Sequence, residues 1–189
     1  MSAGAAILAW VLLAVNNWGA KPLPPEEQRV DEVRQRAAES IYQVAYDVDE
    51  APVYRGAYGR ARTALLLTSI EGLETRFAEH ILYGHCRPDE CDSGHAVSGL
   101  QIHLGRYGIR LVDDKAAQCV TPMAKCYQAY ELVDDWDLAH RVGLHIYRTN
   151  PRQYSTLLPA LRQANEWMAK NPPPATDEQV ANGVVLAEK

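Results

Sequence analysis

At 189 residues and 47% apolar, the chain holds enough material for one domain with a real core, and not obviously for two. The net charge is −5 and the 19 Lys and Arg are scattered, with no basic run. Phosphate binding needs a concentrated cationic face, so this argues against nucleic acid as the main partner. One Phe against ten Tyr and four Trp tilts the aromatics toward side chains with a polar edge, which suit a wet cleft and sugar rings.

Residues 4–15, GAAILAWVLLAV, form an apolar run too short for a confident membrane span, which needs about 20 residues. No Lys or Arg precedes it, and the small-residue cleavage pattern of a secretory signal is weak. Three readings stand for residues 1–22: a helix packed on the domain, an uncleaved export or membrane-docking segment, and a poor signal peptide. The first two together are favoured. Pro22, Pro24 and Pro25 end the segment. Residues 26–48 read as a helix with Val30, Val33, Ala37, Ile41, Val44 and Val48 on one face, and Glu26 and Glu27 at its positive end.

After a Pro/Gly-containing loop, the spacing predicts a helix from about Arg60 to about Tyr83. Leu66, Ile70, Leu73, Phe77 and Ile81 recur at three- and four-residue steps and form one buried stripe. Gly72 lowers the propensity without breaking the pattern. Glu74 sits on the edge of that stripe, where the apolar wall is expected to desolvate it partly. A carboxyl that acts as a general acid at neutral pH needs such surroundings. Glu71, one turn earlier, is read as a solvated or structural acid.

A long irregular stretch follows, rich in Gly, Cys and His, the kind of loop that is usually functional. Short strands are expected around Val97–Ile102 and Ile109–Leu111. Helical spacing returns in Lys115–Val133, Asp135–Tyr147 and Pro151–Lys170, the last with an Asn150 cap before its first-turn proline. Residues 23–170 are thus the main domain, and 171–189, with three prolines, read as a tail. The fold class is mainly α, a helical domain with an irregular loop or small β region in its middle.

The cysteines are Cys86, Cys91, Cys119 and Cys126, and four allow three connectivities. Cys86 to Cys91 closes a small loop. On one unbroken helix Cys119 and Cys126 stand roughly 10 Å apart along the axis, beyond the reach of about 7 Å between disulfide-bonded Cα atoms. Pro122 between them can break the helix and reopens that pairing. Two disulfides imply an oxidising compartment such as periplasm, virion or exterior. The rival is a zinc site of all four cysteines with His85, which the six-residue gap between Cys119 and Cys126 fits poorly. Free thiols are the third reading. His95 and His103 are read as solvated loop histidines, and His140 and His145 are five apart, so no metal is assigned and no cofactor is expected.

Glu74-Thr75-Arg76-Phe77 fits E-[ST]-x-F, and after a loop comes Ala96-Val97-Ser98-Gly99-Leu100-Gln101-Ile102. This pair resembles the two signatures of the lytic transglycosylase and goose-type lysozyme superfamily, an apolar helix ending E-S-G-F and then A-x-G-L-M-Q. Gln101 takes the family glutamine, while Ser98-Gly99-Leu100 replace Gly-Leu-Met. The third family signature, A-Y-N-x-G, has its nearest match in Ala139-His140-Arg141-Val142-Gly143, where His140 replaces tyrosine and Arg141 replaces asparagine. Tyr127, Tyr130 or Tyr147 could supply the missing hydroxyl.

The resemblance implies a lysozyme-like α+β fold and cleavage of the β-1,4 bond between N-acetylmuramic acid and N-acetylglucosamine in peptidoglycan. It implies Glu74 as a single catalytic acid, with Gln101, Ser98, Gly99, Tyr130 and His140 as substrate-side residues. Asp92 is the candidate second carboxylate if water rather than the sugar's own hydroxyl attacks. The partners implied are glycan strands, with virion or envelope-machine proteins and a membrane contact through residues 1–20 as further candidates. The setting implied is a bacterial periplasm or cell envelope, or a phage virion. The alternative is a structural or glycan-binding protein that keeps the fold without cutting. Trp136 and Trp167 are read as core residues rather than sugar platforms.

Overall fold

A computed structural model describes residues 1–18, 30–94, 96–103, 110–112, 115–120, 125–149 and 156–183. Its elements run in chain order α1 (Ala3–Trp18), α2 (Val30–Tyr46), α3 (Gly59–Glu74), α4 (Glu79–Leu82), α5 (Cys91–Gly94), β1 (Ala96–Val97), β2 (Ile102–His103), β3 (Arg110–Val112), β4 (Lys115–Val120), β5 (Lys125–Gln128), α6 (Ala129–Asp134), α7 (Trp136–Thr149), α8 (Leu157–Lys170) and α9 (Asp177–Ala181). The protein is mainly helical, as its periodicity predicts.

Helix α3 is the axis of the fold. It packs against α1, α2 and α8, and α2 packs in turn against α7. From Thr63 to Gly72 every residue of α3 is buried, so the helix has no solvent side over that length. Its hydroxyls are satisfied within the helix. Thr63 donates to the Gly59 carbonyl, Thr68 to Ala64 and Ser69 to Leu65, at 2.7–2.9 Å. These back-bonds let polar residues lie in the core without the desolvation cost of an unpaired group. Leu65, Leu66, Leu67 and Ile70 are each at most 2% exposed, and each contributes roughly 2 kcal/mol of burial.

Helix α1 forms one wall of this core. Ala3, Ile7, Val11, Ala14 and Val15 are at most 1% exposed. Trp10 meets the edge of Trp167 at 5.1 Å between ring centres. Its Nε1–H donates to the Asn171 carbonyl at 2.9 Å. No described helix is long and apolar enough to cross a membrane. Residues 171–183 also lie on the domain. Ala175 is buried, Asp177 Oδ2 accepts from the Arg60 backbone N–H, and the Asp177 N–H donates to the Ala57 carbonyl.

Two expectations are corrected. The central helix ends at Glu74 rather than near Tyr83, because Arg76 and Phe77 both adopt left-handed φ of 55° and 56°. Residues 115–133 are not one helix. They form β4, β5 and α6, with β3-β4-β5 an antiparallel sheet in that order. Strand pairing overrides the good helical propensity of Lys115-Ala116-Ala117-Gln118. The expected strands near 97–102 and 109–111 appear as the β1–β2 hairpin and as β3. The Asn150–Pro151 helix start lies outside the described residues.

Candidate functional site

The first motif segment closes α3, and the second lies against Glu71, one turn earlier on the same helix. Glu74 is the last residue of that helix, so its carboxyl stands at the negative end of the helix dipole. It is half-buried. Its Oε1 accepts a hydrogen bond from the Thr156 hydroxyl at 2.5 Å, just ahead of α8. The chain then turns sharply. The Thr75 hydroxyl donates to the Glu71 carbonyl and accepts from the Phe77 N–H, and Phe77 returns to the core at 1% exposure. An aromatic residue with positive φ is costly, so this corner is held by its surroundings.

The second segment is the tip of the β1–β2 hairpin. The register pairs Ala96 with His103 and Val97 with Ile102, which leaves Ser98-Gly99-Leu100-Gln101 as a four-residue turn. Ser98 and Gln101 have φ of 64° and 47°. The Gln101 N–H donates to the Ser98 carbonyl at 3.1 Å. Its side-chain Nε2–H donates to the same oxygen at 3.1 Å. The amide thus braces its own turn, and Gln101 is half-buried.

The carboxylate directly beneath this tip belongs to Glu71. A Cβ built on Gly99 would overlap Oε1 and the carboxyl carbon of Glu71. Only glycine lets the backbone lie so close. Glu71 is 0% exposed, which corrects any reading of it as solvated. Its Oε2 is 2.9 Å from His140 Nε2, and His140 Nδ1 is 2.8 Å from the Ser40 hydroxyl. One imidazole thus bridges the Glu71 carboxyl on one side and the Ser40 hydroxyl on the other. Glu71 Oε1 and Ser98 Oγ are both buried without a hydrogen-bond partner among the described residues. Both residues line a small cavity of about 10 Å³ with Leu82, Gly99, Trp136 and His140.

The other expected site residues are dispersed. His140 is 3% exposed and turned into the core, not toward a substrate. Tyr130 on α6 is 65% exposed. Tyr127 is buried and Tyr147 half-buried. Asp92 is exposed on α5, with a φ of 49°. Cys86 and Cys91 form a disulfide with Cα atoms 6.0 Å apart. The register of β4 and β5 places Cys119 opposite Cys126. Trp136 and Trp167 belong to the core. His95 lies outside the described residues, and only the backbone of His103 is described.

Sequence reasoning missed Ser40 and Thr156, and it missed the depth of Glu71. The signal for Glu71 was the absence of any charged residue between Arg62 and Glu71. A helix without a polar face is enclosed, and an acid on it is buried. A cleft of about 740 Å³ opens elsewhere, between Arg36, Ser40 and Gln43 of α2 and residues 134–137. Arg36 lies over the Trp136 ring there at 4.4 Å. Comparisons with protein families, with curated proteins and with solved structures give no match.

Proposed function

We propose that the chain cleaves peptidoglycan as a lytic transglycosylase, with Glu74 as its acid. The observation that carries this reading is that both motif segments belong to one helix end, the first by sequence and the second by contact. Glu74–Phe77 closes α3, and the Ser98–Gln101 turn lies over Glu71, one turn below Glu74 on the same helix. An antiparallel three-stranded sheet beside a helical body supports a lysozyme-like α+β arrangement.

Glu74 gives its proton to the glycosidic oxygen as the C1–O4 bond breaks, and the bonding pair leaves with that oxygen. The resulting carboxylate takes the proton of the muramic acid C6 hydroxyl, whose oxygen bonds to C1 and closes a 1,6-anhydro ring. One carboxyl serves both steps, because the sugar's own hydroxyl replaces the second carboxylate of ordinary glycosidases. Thr156 orients the acid through its hydroxyl. The Gln101 side-chain carbonyl oxygen is offered to the sugar's amide group. A bacterial envelope or a phage virion suits both the substrate and the Cys86–Cys91 disulfide.

A second reading has its own observation. His140 stands where the resemblance expects a tyrosine facing substrate, and it is spent on a buried pair with Glu71. A protein that holds glycan strands without cutting them would tolerate that change. Incubation with purified cell walls separates the two. Cleavage releases soluble muropeptides with anhydro ends by mass spectrometry, and Glu74→Gln, nearly isosteric, abolishes release while keeping the fold. Co-sedimentation with walls and no soluble product supports the holding protein. Full activity in Glu74→Gln removes Glu74 from the reaction.

A further inference from the structure

We propose that Glu71 is a positioning residue: backed by His140 and Ser40, its carboxylate is the floor on which the Ser98–Gln101 turn rests, and so fixes Gln101 relative to Glu74. This rests on the reading of Glu74 as the acid. The support is a continuous strut through four segments. Ser40 on α2 bonds His140 on α7, His140 bonds Glu71 on α3, and Glu71 meets Gly99 at the hairpin tip. His140 and Glu71 are 3% and 0% exposed. Such a pair is weak evidence for stability, because apolar residues of the same volume often serve as well or better.

What apolar residues cannot supply is a defined height and direction. A carboxylate held at Oε2 by an imidazole, itself held by a hydroxyl, has its other oxygen fixed in space. That oxygen, Oε1, faces the cavity shared with Ser98 and underlies Gly99. Gln101 is tied to Ser98 by two hydrogen bonds to one carbonyl, from its backbone and its side chain. The Gln101 Nε2–H also reaches Cys91 Sγ at 3.5 Å, so a displacement of the Ser98–Gly99 backbone pulls the amide against that second anchor and changes its setting. The left-handed φ of Ser98 and Gln101 marks a turn that relaxes once its floor is removed. Glu71 itself has no exposed surface and does not touch a glycan.

The test is kinetic and spectroscopic, on the full chain with purified peptidoglycan. Gly99→Ala pushes a methyl into Glu71 and is expected to lower kcat roughly tenfold to a hundredfold, the cost of a displacement near 1 Å, with KM within about twofold. Glu71→Asp withdraws the carboxylate by one methylene, so the Gly99→Ala/Glu71→Asp double variant recovers most of that loss. Glu71→Gln keeps the floor and stays within about threefold of the parent kcat. Val142→Ala, a core change on α7, serves as the stability control, with a lowered Tm and an unchanged kcat.

The Gln101 side-chain amide resonances are the readout independent of turnover. They shift in Gly99→Ala and return in the double variant. Unmoved Gln101 resonances in a folded Gly99→Ala, or a double variant no better than the single, overturn the proposal. Loss of activity in Glu71→Gln with activity kept in Glu74→Gln overturns it too, by making Glu71 the acid. If the parent releases no fragments, the reading of Glu74 fails, and the Gln101 resonances alone decide for or against the strut.

Discussion

The hydroxyl of Thr156 reaches Glu74 Oε1 at 2.5 Å across 82 residues of sequence. It joins the start of α8 to the end of α3 at the residue we propose as the acid. A hydrogen bond to a carboxylate is one of the stronger kinds, about 1.5–3 kcal/mol. Thr156→Val keeps the shape and removes the donor. Its expected effect is a loss of roughly tenfold in kcat/KM on purified walls, with far-UV circular dichroism unchanged. Unaltered kinetics would show that Thr156 does not orient the reacting group.

Acid sensitivity is expected in the loop that carries the disulfide. The Arg87 backbone N–H outweighs the opposing desolvation and, with the His80 ring after it, holds the Glu90 carboxyl below its usual range. A carboxyl lowered on folding contributes stability above its unfolded pKa of 4.5 and loses it as pH falls through the folded value. The Tm of Glu90→Gln should therefore lie below the parent's at pH 6 to 7, and the two curves should converge below about pH 4. Parallel curves down to pH 3 would mean that Glu90 has no such role.

The thiol count follows from strand register. Directly opposed residues of an antiparallel ladder have Cα atoms about 4.5–5.5 Å apart, inside disulfide range, and Cys119 opposes Cys126. Since Cys86 and Cys91 are joined, the denatured, unreduced protein is expected to show no alkylatable thiol. Peptide mapping should find 86 with 91 and 119 with 126. Two labelled cysteines at 119 and 126 would exclude the second bridge. Removing the first by a Cys86→Ser/Cys91→Ser pair should cost about 2 kcal/mol for so short a loop.

Gly72 marks a close helix crossing. A Cβ there would meet Trp18 Cβ at 2.8 Å, an atom anchored to the α1 backbone rather than the free end of a side chain. Alanine improves helical propensity by about 1 kcal/mol. The forced shift of α1 costs about 1–3 kcal/mol, so Gly72→Ala is expected to lower the urea midpoint. An equal or higher midpoint would show that α1 yields freely.

Elements buried on one side were legible and the enclosed ones were not. The Val33–Ala37–Ile41–Val44 stripe of α2 is buried as its spacing implies. Helix α3 was found by its apolar period, yet its assignment to a single stripe failed because neighbours surround it. That error hid Glu71, whose position off the stripe looked like solvent. The strands β4 and β5 are illegible because Lys-Ala-Ala-Gln carries no period of two and has good helical propensity, even though its pairing partners lie next to it in sequence. The hairpin tip was readable as a motif, but its seat on Glu71 depends on three-dimensional packing that no spacing rule encodes.

The indole of Trp10 is bonded to the carbonyl of Asn171, 161 residues later, and stacks by its edge on Trp167. A ribosome making this chain releases α1 shortly before α2 and α3, its principal neighbours, and well before Trp167 and Asn171. At ordinary synthesis rates of about 5–20 residues per second this clasp on Trp10 forms many seconds after α1 is made. It therefore closes a wall that α2 and α3 already line, and locks it rather than builds it.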